Sequence, residues 1–492
     1  MAISLTSPAG KGERLGYVIV VVFLSLFALV GVVTAVFAVR SFLDEDFGKG
    51  AFLSIFALVF GGFGIGMTAF MLEARKKARK SLELRALAPG EPWKWREDWA
   101  EGTARSSTKT TMLFAWAFSI LWNLISLPLL FVLPAEILEK ENYPALLGLL
   151  FPLVGVGLLV WAIRETLEWK TFGQSLFRLN STPGVIGGVL AGTVEVPASF
   201  EPDQVFDVTL SCINRKRTGS GKNSSTTETI LWQEKLESVR PLGQPAAMGS
   251  AIPVRFEIPY DCKQCDDTDP DDRILWQLGA HAAVPGVDYH GTFEVPVFRT
   301  AASRALSPGQ DPGEAPPTGY QPTPGAGISF DVSPTGGSVI AVAPARPAGA
   351  TAAMAAFFLV WTAVIVLMVH LGAPFFFPLI FGLFDLLFFY GLLQLAFGRT
   401  RIVIEEGNVV LDNVLAGFSF RKIIPVDEIE TVRPSIGMQS GKSVFYSILI
   451  ARRGGKTSTL HVAIREKHDA EWLAAEVRRR IGLQARDAIP IQ

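Results

Sequence analysis

Ionisable and thiol side chains are scarce in this chain of 492 residues: 18% are charged, five are His and three are Cys. Three cysteines cannot build a disulfide framework, since one is always left over, and nothing here requires an oxidising compartment. Lys and Arg (45) nearly balance Asp and Glu (46), which excludes a globally basic nucleic-acid binder; no helix combines a basic stripe with stacking aromatics, so no nucleic-acid partner is expected. The histidines, at 281, 290, 370, 461 and 468, are scattered, and neither G-x-S-x-G nor H-E-x-x-H occurs. A phosphate-binding loop is missing too. In RKRTGSGKNSST, Lys216 stands where the first Gly of G-x-x-x-x-G-K-[ST] belongs, and Asn223 follows Lys222. No catalytic residue and no cofactor is therefore assigned.

Apolar residues, by contrast, make up 49% of the chain, with 35 Phe against 7 Tyr. A helix needs roughly 20 apolar residues to cross the hydrocarbon of a bilayer. Six runs qualify: 17–39, 51–72, 112–133, 144–163, 351–371 and 375–397. The first is too long for the apolar core of a secretory signal and reads as a permanent span. Lys and Arg in short loops stay on the cytoplasmic side. The loop at 73–111 carries Arg75, Lys76, Lys77, Arg79, Lys80 and five more basic residues, whereas the loops after spans one and three hold Asp44, Glu45 and Asp46, then Glu136, Glu139 and Glu141. These counts predict a multi-pass protein of a bacterial inner membrane with both termini cytoplasmic. The segments 166–299, 300–350 and 398–492 are then cytoplasmic as well.

Between 166 and 299 the period changes to strict alternation, as in GGVLAGTVEVP, VFDVTLSCINRKR and IPVRFEIP, which predicts an antiparallel β-sandwich. RTGSGKNSST then falls between two alternating runs and suits a hairpin tip. The Pro and Gly density of 300–350 reads as a partly extended linker in which ISFDVSPTGGSVIAVA could add a stray strand. After the last span, RIVIEEGNVVLDN predicts a hairpin turning at Gly407 and Asn408, another turn falls at Gly454 and Gly455, and KHDAEWLAAEVRRRIG predicts a closing helix capped by Asp469 and ended by Gly482. The expected fold is six transmembrane helices plus an all-β sandwich and a small α+β C-terminal domain.

The succession GGVLAGTVEV, VTLSC, IPVRFEIP and ILWQLGAHAAVPGVDYHGTFEVPVF resembles arrestin-like sandwich domains over about a quarter of the chain. That resemblance implies a protein-binding module without chemistry, although here a single sandwich would lie between membrane spans. The β-rich element order closed by one helix is similar to bacterial pleckstrin-homology-like domains. LAPGEPWKWREDWAEG, FGQSLFRLNSTPGVIGGVLAG and the overall layout resemble bacterial multi-pass membrane proteins classed only as domains of unknown function, which have no activity to lend.

Four constellations remain. Cys262 and Cys265 form a C-x-x-C pair with Cys212 as the third thiol; zinc, a redox pair and an inert turn are all open readings, and zinc wants four ligands. Asp266, Asp267, Asp269, Asp271 and Asp272 invite Ca2+, but an EF-hand beginning at Asp267 would want Gly at 272 and Glu at 278; a solvated turn is the better reading. Trp95 and Trp99 are four apart, with Trp93 beside them, and would share one face of an interfacial helix that anchors topology or binds anionic headgroups with Arg75 to Lys80. Asp385 and Asn123 sit mid-span. Asp385 is expected either to hydrogen-bond another helix, with Asn123 or Tyr390 as partner, or to line a transport path. Gly62 and Gly66 give a small-residue pair of the kind that packs helices into a homo-oligomer. The preferred reading is a non-enzymatic membrane scaffold whose cytoplasmic β-domains dock protein or lipid. A small-solute or ion transporter using Asp385 and a membrane-anchored enzyme or redox protein using Cys262 and Cys265 are the alternatives.

Overall fold

The computed structural model describes residues 11–140, 145, 148–219, 224–242, 249–305, 320–322, 327–332, 338–342, 348–370, 372, 374–405, 407–415 and 418–483. They divide into two compact units, Met1–Thr229 with Gln233–Arg304, and Ile230–Trp232 with Ala305–Gln492. Six helices are long and apolar enough to cross a membrane, within 21–43, 47–87, 108–138, 150–172, 351–370 and 376–394.

In the first unit, α1 (Lys11–Leu43) and α2 (Phe47–Leu87) pack as an antiparallel pair. Phe27 stacks on Phe60, and Gly31 lies against Gly61 closely enough that a methyl on Gly31 would overlap its backbone. Gly62 and Gly66 have nothing of this chain within 4 Å of an added methyl; the close contact between α1 and α2 is made at Gly31, Gly61 and Gly64. A 3-10 turn (Pro92–Lys94), the short helix α3 (Glu97–Ala100) and strand β1 (Thr103–Arg105) follow, so much of the expected basic loop is ordered structure. Helix α2 runs on through the basic residues because 73–87 contains no Gly or Pro and consists mostly of good helix formers.

Next come α4 (Thr108–Ser126), α5 (Leu129–Leu138) and α6 (Leu150–Phe172), with α4 and α6 antiparallel. Strands β2 (Leu176–Leu179), β3 (Gly184–Val185), β4 (Gly188–Val196), β5 (Phe206–Thr218), β6 (Ser225–Val239), β7 (Ser250–Ile258), β8 (Asp272–Ala282), β9 (Tyr289–Val295) and β10 (Val297–Phe298) complete the unit. They form two four-stranded sheets, ordered β1-β2-β4-β7 and β6-β5-β8-β9, with a small parallel pair β3-β10. Phe177 of the first sheet meets Phe293 of the second across a core that buries Leu190, Ile252, Phe256, Leu210, Trp276 and Leu278. The alternation in the sequence is the alternation of burial: β4 from Leu190 to Val196 buries every second residue. Strands β5 and β6 are neighbours, as a hairpin requires; Ser220 to Asn223 at its tip fall outside the described residues. The sandwich begins at β1, well before residue 166. Three residues were too few for their alternation to be recognised.

The second unit opens with β11 (Ile328–Val332) and β12 (Ser338–Val342), so 300–350 contributes two strands where one was anticipated; most of that segment lies outside the described residues. Helices α7 (Ala348–His370) and α8 (Phe376–Phe397) follow. Strands β13 (Arg399–Glu405), β14 (Asn408–Leu415) and β15 (Phe418–Pro425) extend a sheet ordered β11-β12-β13-β14-β15. A second sheet holds β16 (Ile429–Ser440), β17 (Ser443–Arg452) and β18 (Thr457–Ile464). The hairpins turn at Gly407 and at Gly454 and Gly455, all at positive φ. Helix α9 (Lys467–Arg480) packs Leu473 and Val477 inward and ends at Gly482, at φ +75°. Asp469 does not cap it: the side chain is buried and accepts a hydrogen bond from the Tyr320 hydroxyl at 2.8 Å.

One connection recurs. In the first unit β1 and β2 pair antiparallel, Arg105 opposite Leu176, and the chain between them is α4, α5 and α6. In the second, β12 and β13 pair antiparallel, Val342 opposite Thr400, with α7 and α8 between them. Each time a helical pair stands where a β-hairpin would have its turn.

Candidate functional site

The chemistry-bearing side chains of the first unit converge where helices α2 and α6 meet the sandwich. The segment 91–102 is clamped onto β9 and β10. Trp99 is 6% exposed, packs edge-on against Phe298 and donates its indole N–H to the Glu294 carbonyl at 3.0 Å. The Arg96 guanidinium lies 4.1 Å from the centre of the Trp99 ring and donates to Glu294 Oε1 at 2.8 Å and Asp98 Oδ2 at 2.9 Å. Burial works against the Arg96 charge, but Glu294 and Asp98 outweigh it and raise its pKa, so it stays ionised. Arg85, in the last turn of α2, stacks 4.6 Å over Trp95 and reaches Asp267 at 3.3 Å. Trp95 donates to the Ala88 carbonyl, and Trp93 packs 5.7 Å from Phe298. The expected interfacial helix carrying Trp95 and Trp99 on one face is thus replaced by a bent segment whose tryptophans hold the sandwich. Cation–π stacking and buried indole packing stabilise protein contacts as well as bilayer interfaces, and spacing alone does not separate the two.

Lys76, Lys77, Arg79 and Lys80 stay on exposed turns of α2, with Lys77 beside Glu73 and Lys80 beside Glu97; Arg75 is half-buried.

Helix α6 enters the sandwich from the other side. It runs nine residues past the expected end of the span at Ile163, and this extension carries Glu168, whose Oε1 accepts the backbone N–H of His290 at 3.0 Å. Phe172 packs on Phe200 and Tyr289, and the Tyr289 hydroxyl donates to Ser175 Oγ at 3.0 Å. His281 and His290 lie directly opposite each other on β8 and β9. In sequence His281 and His290 stand out only as the imidazoles nearest the thiols, and Glu168 does not stand out at all, because the three meet through strand register and a helix more than a hundred residues away.

The thiols lie in the same sandwich, with Cys212 beside the turn that carries Cys262 and Cys265. Cys212, Cys262 and Cys265 are all buried and none is in a disulfide. Cys265 donates to the Val295 carbonyl at 3.5 Å and Cys212 to the Lys263 carbonyl at 3.7 Å. Burial pushes the Cys212 and Cys265 thiols up to about 12 each, which removes the thiolate that nucleophilic or redox chemistry needs. An unfolded thiol ionises near 9, so below that pH both states keep the proton and nothing changes. Above it the unfolded chain releases protons that the folded chain retains, and stability falls. The expected slope is about 1.4 kcal/mol per pH unit per thiol between roughly pH 9 and 12. Chemical denaturation at pH 8, 9.5 and 10.5 checks it, and Cys212→Ala combined with Cys265→Ala should flatten the curve.

No group of three or more His, Cys, Asp or Glu among the described residues is placed to hold a metal ion. The acidic run folds as a self-bonded turn. Asp266 accepts from the Thr268 amide and hydroxyl at 3.0 and 2.7 Å, which lowers its pKa, and Asp269 accepts from the Asp271 amide. Asp272 accepts from Asn214 at 2.8 Å.

Within the helices, Asn123 donates to the Ser119 carbonyl at 2.8 Å and across to the Gly155 carbonyl at 3.0 Å, which ties α4 to α6. Asp385, in the other unit, does not pair with Tyr390. Its two oxygens both lie 3.1 Å from Thr362 Oγ1 on α7, while Tyr390 is engaged by Gln394. The hairpin register, invisible in composition, sets that pairing. Thr362→Val and Asp385→Leu should each weaken the α7–α8 pair, and the double variant should fall short of their sum by about 0.6–1.7 kcal/mol. Thermal unfolding of the four proteins in one detergent measures that coupling.

Neither a family model nor a curated protein matches this sequence. Among solved structures the chain is similar to the crystal structure of Spo0M, sporulation control protein, from Bacillus subtilis. Identity is 9%, the aligned part covers 63% of this chain and 97% of that one, and the TM-score is 0.18. A likeness that loose transfers neither fold nor role.

Proposed function

We propose that this chain is a non-enzymatic multi-pass protein of a bacterial inner membrane that presents two cytoplasmic β-domains, an arrestin-like sandwich and a pleckstrin-homology-like unit, as docking surfaces for protein or lipid. The observation that carries this reading is the recurring connection, in which a span-length helical pair interrupts two paired neighbouring strands. Because Arg105 pairs with Leu176 and Val342 with Thr400, the outer ends of each helical pair must emerge on the side where its own sheet lies. A domain tied to its helices by two adjacent strands is held upright at the membrane, as a docking platform requires. The Trp99 and Arg96 clamp adds a third attachment in the first unit. Exposed Lys76, Lys77, Arg79 and Lys80 follow the apolar run ending at Leu72, where anionic headgroups would meet them.

Reporter fusions at Gln310 and after Gln492 test the arrangement. Cytoplasmic activity at both sites is the expected outcome; a periplasmic signal at either one ends the docking reading, because the two β-domains would then no longer share the cytosol.

A further inference from the structure

The hairpins of the second unit divide by chemistry. Four of them close on polar residues: SPTGG between β11 and β12, EEG between β13 and β14, GK between β16 and β17, and RGGK between β17 and β18. A turn in water uses such residues, because Gly supplies the backbone angle and the polar side chains stay solvated. The hairpin from β14 to β15 reads VLAGFSF instead, with Ser419 its one polar side chain. Ala416 and Gly417 of that stretch fall outside the described residues.

Register places this hairpin beside the end of a span-length helix. Helix α8 ends at Phe397, which is exposed, and a single residue separates it from β13 at Arg399. Arg399 pairs with Val414 of β14, and Val414 with Ser419 of β15. The last ladder pair, Leu415 with Phe418, is therefore level with Gly398. Neighbouring strands lie about 4.8 Å apart, so Leu415 stands roughly 5 Å and Phe418 roughly 10 Å to the side of the helix end, whatever the tilt of the sheet. The polar turn at Gly407 lies at the opposite end of β13, about 20 Å away.

We propose that the β14–β15 hairpin is a membrane-dipping wedge, whose tip from Leu415 to Phe418 enters the interfacial layer of the leaflet from which α8 emerges. The wedge rests on the reading that α8 crosses the membrane, and it names the surface by which this unit holds lipid. Charge supports the assignment. Arg401, Arg421 and Lys422 are exposed just behind the tip; Arg401 and Arg421 share a cross-strand row with Asp412, which Arg421 approaches at 3.8 Å. Apolar and aromatic residues followed within a few positions by Arg and Lys repeat the order of a bilayer surface, hydrocarbon first and anionic headgroup next. The wedge also has a mechanical role. Val342 and Thr400 tether the same rim of the sheet to α7 and α8, and two tethers leave the sheet free to rock about the line joining them. A third contact to one side removes that freedom and sets the angle at which the domain faces its partners.

The test uses the full chain in nanodiscs of phosphatidylethanolamine and phosphatidylglycerol. An environment-sensitive fluorophore is attached at Phe418→Cys, at Leu415→Cys or, as the distal comparison, at Asn408→Cys. The native thiols are buried, and wild-type chain carried through the same labelling sets the background. Labels replacing Phe418 or Leu415 should emit at shorter wavelength and lose most of their emission when the lipid carries a nitroxide near the top of its acyl chain, while a label replacing Asn408 should lose little. A blue-shifted label that the nitroxide does not quench is covered by protein and overturns the proposal, as does quenching at Asn408 equal to that at Phe418. Where one tip substitution prevents folding, the other carries the comparison. Nitroxide lipid occupies both leaflets, so quenching is blind to the side of the membrane, which the reporter fusions read. An unquenched tip with cytoplasmic reporters ends the wedge alone; a quenched tip with a periplasmic reporter ends the docking reading and leaves the wedge standing.

Discussion

Replacing Trp99 with Ala should lower the melting temperature of the sandwich by roughly 10 °C. A buried indole is worth about 3–5 kcal/mol when truncated, and in a domain of this size each kcal/mol corresponds to about 2–4 °C. Trp99 is 6% exposed, and its loss would also leave the Glu294 carbonyl without its donor and the Arg96 guanidinium without the ring beneath it. The second consequence is mechanical. Residues 88–102 would leave the surface of β9 and β10, and protease cleavage between Ala88 and Gly102 should rise with the loss of stability. Trp93→Ala, which removes a half-buried ring from the same Phe298, should cost clearly less. An unchanged melt for the Trp99 variant, with altered lipid quenching instead, would reassign that tryptophan to the bilayer surface.

Gly31→Ala and Gly64→Ala should each disrupt the α1–α2 pair, whereas Gly62→Ala and Gly66→Ala should leave it intact. A methyl on Gly31 runs into the backbone of Gly61, and one on Gly64 into the backbone of Ala28 and the Leu24 carbonyl. Backbone cannot rotate aside as a side chain can, so the helices must separate. Overpacking of this kind costs about 1–3 kcal/mol, and close helix contact is the main source of association where neighbouring lipid is as apolar as the side chains. Thermal aggregation of the four variants in mild detergent gives the ranking. Equal behaviour of all four would mean that this contact does not hold the pair together.

Much of the architecture could be read from residue patterns, and the reasons are physical. Apolar runs of 20 or more residues have few alternatives to a long buried or lipid-facing helix, and all six became helices. Alternation, as in β4, survives as alternating burial because the pleat imposes a period of two, and β5 keeps it from Phe206 to Leu210. Short or composite features were not legible. β1 has three residues, and β11 and β12 lie in text dominated by Pro and Gly. The extension of α6 beyond Ile163 turns polar, which hid Glu168. Site geometry was the least accessible layer. Asp385 draws its partner, Thr362, from how α7 lies along α8, which composition does not carry. For Trp99 the spacing leaves two readings open, since an indole satisfies its N–H equally well on a sheet or at a headgroup, and the register that brings it to the Glu294 carbonyl is not written in the composition.

The helical pair that interrupts β1 and β2 also orders biogenesis. Thr103 to Arg105 leave the ribosome long before Leu176 to Leu179 exist to pair with them. Until α4 and α6 have come together, closing that ladder means ordering a long free loop; once they have, its two ends arrive side by side and little chain entropy remains to be lost. Packing of α4 against α6 therefore precedes completion of the β1–β2 ladder, and until then β2 keeps unpaired the edge that β1 later covers.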